Sequence, residues 1–192
     1  MRSVVLILVV LITSGCANRY SVPRPNIDNA QLRLVSIPSN NNFVTTPNNN
    51  ECIDEQHAAS LATLGLKANL VRRLSRIDMP LYNHEISDSH QNEVYIPAGR
   101  EFTFQFNGVG ITGIDPGKTS TQEGILYSWC RKLVSFIPEK NRNYEAVYDY
   151  ITTDEGRETC GVTLFELAEN DNGQFHRKAL TDYQVKHHYC PL

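Results

Sequence analysis

The chain has 192 residues, of which 41% are hydrophobic and 20% charged, with 18 Lys+Arg against 21 Asp+Glu. The charges are interspersed, and that excludes the basic footprint of a nucleic-acid binder. A chain of this length buries a core as one domain. Its one long apolar run lies at the start, and no second one follows.

That run is residues 4–12, nine apolar residues behind Arg2. A membrane-crossing helix needs ~20 residues, so the run fits the core of a secretory signal instead. Thr13, Ser14 and Gly15 follow, and then Cys16. The stretch resembles a bacterial lipoprotein signal, in which a cysteine after small residues is acylated and becomes the mature N-terminus. Thr13 stands where that pattern prefers leucine. Gly15 and Ala17 also suit an ordinary signal peptidase cutting before Asn18, which would release a soluble protein. The resemblance implies residues 1–15 as signal peptide and Cys16 as the palmitate-bearing anchor. It also implies the outer membrane, because Ala17 and Asn18 lack the aspartate that retains lipoproteins in the inner one. Loss of Arg2 with the signal leaves 17 bases against 21 acids, a net charge of −4.

Beyond Cys16 there are four cysteines, Cys52, Cys130, Cys160 and Cys190. An even number in an exported chain predicts two disulfides in an oxidising compartment. Four cysteines allow three connectivities. None forms a C-x-x-C, and their spacing fits no zinc site.

Residues 16–29 are polar, with two prolines, and read as a tether. The domain then runs over 30–192. AQLRLVSI (30–37) is a strand with Leu32 and Leu34 on one face. Residues 38–50, rich in asparagine and bounded by prolines, are loop, interrupted by a short strand at 43–45. Over 54–77, Leu61, Leu64, Ala68, Val71 and Leu74 follow helical spacing, with acids early and bases late. One or two short helices are expected there, with a strand through 61–66 as the alternative. The bases Arg72, Arg73 and Arg76 read as a solvated face.

EVYIPAGREFTFQFNG reads as a hairpin turning at Pro97-Ala98-Gly99, with Phe102, Phe104 and Phe106 on one side. LYSWCRKLVSFIP (126–138) is expected to pair with YEAVYDYI (144–151) through EKNRN, and then TTDEGRE leads to TCGVTLFEL (159–167). Strands of this length joined by short polar turns predict a mainly β, antiparallel sandwich. The tail from Glu169 opens as a loop and returns as an edge strand or a helix.

GVGITGIDPGKTS (108–120) contains a literal G-x-G-x-x-G. A dinucleotide site needs a helix starting inside the glycines. Asp115-Pro116-Gly117 is turn chemistry instead, and Thr112 stands where a phosphate loop needs glycine. The stretch therefore predicts a loop between strands and no nucleotide. His84 and His90 share one polar loop, and His176, His187 and His188 lie near the end. Neither set has the spacing of a metal site, and both read as surface histidines. No G-x-S-x-G is present. Tyr144, Tyr148 and Tyr150 alternate along one strand, as cross-strand packing does.

The series AQLR (30–33), Met79-Pro80, IPAG (96–99), Cys130 with Phe136-Ile137-Pro138 and Tyr144-Glu145, and Cys160-Gly161-Val162 resembles a group of Gram-negative envelope lipoproteins of unknown function. The resemblance covers most of the mature chain. It implies an immunoglobulin-like or transthyretin-like sandwich, with Cys130 paired to Cys160 and Cys52 to Cys190. It implies no activity. A simple meander speaks against the first pair, because two strand spacings (~10 Å) would separate cysteines that must lie within ~7 Å. A bulge or a switch of sheet would remove the conflict.

The sequence thus leads to a non-enzymatic lipoprotein on the periplasmic face of the outer membrane, with no cofactor and no metal. It would contact an envelope protein or the cell wall. A secretion or envelope-assembly component is one alternative. A periplasmic hydrolase or metal enzyme built on the His84–His90 loop is another.

Overall fold

The computed structural model describes residues 20–23, 28–36, 40–48, 50–53, 58–65, 75–82, 87–114, 125–152, 154, 156 and 158–190. The signal segment, Cys16, most of the tether, the GKT turn and His84 lie outside them. Ten strands run through the described residues: β1 (Asn29–Ser36), β2 (Asn40–Thr46), β3 (Ala59–Leu64), β4 (Gln91–Pro97), β5 (Phe102–Ile114), β6 (Ile125–Phe136), β7 (Asn143–Thr152), β8 (Glu158–Glu169), β9 (Phe175–Ala179) and β10 (Gln184–Lys186).

They form two five-stranded sheets. The front sheet has the order β4-β1-β7-β8-β9 and the back sheet β10-β6-β5-β2-β3. The expected mainly β sandwich is present. All pairings are antiparallel except β1 with β7, which run parallel.

The core follows from period-two alternation. Leu32 and Leu34 of β1, Val94 and Ile96 of β4, and Tyr144, Ala146 and Tyr148 of β7 point inward from the front sheet. Phe102, Phe104 and Phe106 of β5 and Val134 and Phe136 of β6 meet them from the back sheet. Rings interlock across the gap: Phe136 lies 5.1 Å from Tyr144 edge-on, and Phe106 lies 5.5 Å from Tyr148. Such pairs add about 0.5–1.5 kcal/mol each beyond their buried area. The tyrosine row is thus a core feature, as its spacing predicts.

Three expectations need correction. IPAG does not close a hairpin, because β4 pairs with β1 in the front sheet while β5 joins the back sheet. Gly99, at φ +74°, turns the chain across and donates to the Pro138 carbonyl at 2.8 Å. Likewise β6 and β7 belong to different sheets, joined by a bend with Asn141 at φ +60°. An alternating strand shows which face is apolar, but not whether its successor lies beside it or across the core. The helices expected over 54–77 are absent where that segment is described. Residues 59–64 form β3, paired with β2, and 75–77 are non-helical. The rest of the segment is outside the described residues, in which the single helical piece is the 3-10 turn Asp88–His90. The tail resolves to edge strands, β9 on the front sheet and β10 on the back.

Both disulfides implied by the resemblance are formed. Cys130 on β6 joins Cys160 on β8, with Cα atoms 6.2 Å apart. The switch of sheet between β6 and β7 brings these cysteines face to face across the sandwich. Cys52 joins Cys190 at 4.9 Å, and Ile53 pairs in parallel with Tyr189, so residues 50–53 and the tail are fastened together.

Candidate functional site

The outer face of the front sheet carries charges that are out of water. Arg33 on β1 lies directly opposite Glu93 on β4 and Glu145 on β7. All three are at most 1% exposed. The guanidinium reaches one carboxylate on each side: Nε donates to Glu93 Oε1 at 3.1 Å, and an outer nitrogen to Glu145 Oε2 at 3.2 Å. It also donates to the carbonyls of Met79 and Pro80, at 3.3 and 2.9 Å. Those residues belong to a strap, 75–82, that crosses the sheet. The other oxygen of Glu93 accepts from the Ile77 and Met79 amides, at 2.9 and 3.3 Å. Arg76 binds both Glu93 and Asp88.

Burial alone would raise the Glu93 carboxyl, but the Ile77 amide and Arg33 outweigh it and hold Glu93 below the ordinary glutamate range. Glu145 is shared further. Its Oε1 accepts from Tyr82 Oη at 2.7 Å and from Arg177 Nε at 2.7 Å. Burial and the bond to Glu145 push the Tyr82 phenol upward, so it stays a donor.

Arg177, on β9, carries this network to the surface. Its guanidinium stands 4.8 Å over the Tyr82 ring and 4.9 Å over Phe165. Beside it opens a groove of about 540 Å³, lined by Leu81, Tyr82, Phe175, His176, Arg177 and the loop Asn170–Gln174. Leu81, at the rim, is 75% exposed.

A second surface lies on the outer face of the back sheet. Trp129 is 67% and Tyr189 54% exposed, and Phe43 also reaches solvent. The Arg131 guanidinium sits between two of these rings, 5.8 Å from Trp129 and 5.7 Å from Tyr189. The register places these side chains on one face, because Val109 pairs with Trp129 and Asn107 pairs with both Arg131 and Phe43. Trp, Tyr and Arg are the residue types that dominate binding hot spots.

The residues singled out from sequence are scattered over this frame. Gly108 and Gly110 are strand residues of β5, not loop residues. A side chain at Gly108 would meet Tyr148 Oη at 2.1 Å, so the glycine seats a core ring. Arg76 belongs to the strap network, while Arg72 and Arg73 are outside the described residues. His90 is buried, its Nδ1 2.9 Å from Ser89 Oγ. His187 lies 2.9 Å from Lys132 Nζ, and burial, then that lysine, lower its pKa. Burial lowers that of Lys132 as well. Among the described residues no three His, Cys, Asp or Glu come together as a metal site.

The sequence reading missed Arg33, Glu93, Glu145 and Arg177. Their signal was present but indirect: the outward positions of β1 and β7 also carry Val35 and Val147, and apolar side chains on an outer face call for a cover. In comparisons with known proteins, no family model, no curated protein and no solved structure matches the chain.

Proposed function

We propose that the chain is a lipid-anchored envelope protein, held by Cys16 to the periplasmic face of the outer membrane, that works by contact with an envelope partner and not by catalysis. The observation that carries the contact role is the exposed Trp129–Arg131–Tyr189 cluster, whose rings cover little of the protein itself. A monomer gains nothing from holding a tryptophan in water, whereas a partner that covers it removes apolar area at about 25 cal/mol per Å². The two disulfides suit the oxidising compartment that the N-terminal segment points to.

The test is a photo-crosslinking side chain placed at Trp129 in living cells, with Ile137, an equally exposed apolar position, as control. Discrete adducts at position 129, absent at 137, are expected. No adduct at 129, or the same pattern at both positions, would refute the contact role.

A further inference from the structure

We propose that the free edge of β9, together with the groove beside it, takes an added β-strand from a protein partner, supplied as an extended acidic segment. β9 is the last strand of the front sheet, and no strand flanks its outer side. Two bonds fix its phase: the Leu180 amide reaches the Leu164 carbonyl, and the Asn170 amide reaches the Gln174 carbonyl, both at 2.9 Å. In an antiparallel ladder the bonded positions alternate. Positions 174, 176, 178 and 180 therefore bond to β8. Phe175, Arg177 and Ala179 turn their amides and carbonyls outward, which is the row of groups that strand addition uses.

The side chains agree with the backbone. Phe175 and Arg177 lie on the groove side with Leu81 and Tyr82, so a strand beside β9 would set every second side chain against that groove. Charge selects the occupant. His176, Arg177 and Lys178 make the edge basic. A second copy paired antiparallel through β9 would bring these residues against their own counterparts, and like charges across a ladder destabilise it. Acidic side chains on the added strand would meet them favourably. This surface lies on the opposite sheet from the Trp129 cluster and does not depend on it.

The experiment uses the full chain with both disulfides formed and an end-blocked peptide of about seven residues alternating Glu and Val. Amide hydrogen exchange reads the outcome. The peptide should protect Phe175, Arg177 and Ala179 selectively. Its Lys-for-Glu counterpart, and a version N-methylated at alternate amides, should bind at least about tenfold more weakly. Ala179→Pro removes one outward amide and leaves the β8 ladder intact, so it should fold normally and weaken binding similarly. Lys178→Glu should shift preference toward the Lys peptide. No protection of the three amides at millimolar peptide, equal binding of the N-methylated peptide, or a dimer formed through β9 would each overturn the proposal.

Discussion

The phenol of Tyr148 occupies the space that a side chain at position 108 would need. Its oxygen lies 2.1 Å, and the ring carbon that bears it 2.4 Å, from where a Gly108 Cβ would stand. The hydroxyl donates to the carbonyl of Cys130, the residue opposite Gly108 on β6. Burial raises the pKa of this phenol and keeps it a donor. Gly108→Ala should therefore cost about 1–3 kcal/mol by overpacking, read as a lower denaturant midpoint. Adding Tyr148→Phe should recover only part of the loss, since the ring carbon remains in the way.

Arg33 neutralises two buried carboxylates at once. Removing it leaves Glu93 and Glu145 facing one another's charge across β1. Arg33→Ala should cost about 3–5 kcal/mol in equilibrium unfolding, while replacing the whole cluster with apolar residues of similar volume should cost far less. Equal losses would mean that packing, not charge, sets the cost.

Acid should loosen the strap. The Glu93 pKa is lower in the folded chain than the ordinary 4.5, so its contribution to stability is present above that value and is lost as pH falls through the folded one. It faces Arg33, Arg76 and the Ile77 and Met79 amides, all of which favour the charged form. Unfolding free energy should fall between about pH 5 and pH 3 more steeply in the native chain than in Glu93→Gln. Parallel curves would remove Glu93 as the cause.

Each disulfide spans a different loop. Cys130–Cys160 closes 30 residues and Cys52–Cys190 closes 138. Chain entropy gives about 3–4 kcal/mol for the first and about 5 kcal/mol for the second. Paired serine variants should show that order in denaturant midpoint. The reverse order would mean that local packing around Cys130 and Cys160, both against the core, outweighs loop length.

The alternation of β5 and β7 was legible because one side of each strand is strongly apolar, and the core lies where Phe104, Phe106 and Tyr148 place it. The partner of each strand was not. Nothing local distinguishes a turn that folds β4 back beside β5 from one that sends β5 to the opposite sheet. The charged network was hidden for a related reason. A lone arginine between Leu32 and Leu34 reads as a solvated outer position, and only the strap, remote in sequence, takes it out of water. The edge at β9 was visible only as a tail, since its role depends on which strand it joins.

The most direct measurement is the intact mass of the protein purified from membranes, with and without reduction. The account predicts a chain that starts at Cys16 and carries acyl groups, and that gains four hydrogens on reduction as its two disulfides open. A chain that starts at Asn18 without lipid would contradict the anchored role and make this a freely diffusing exported protein.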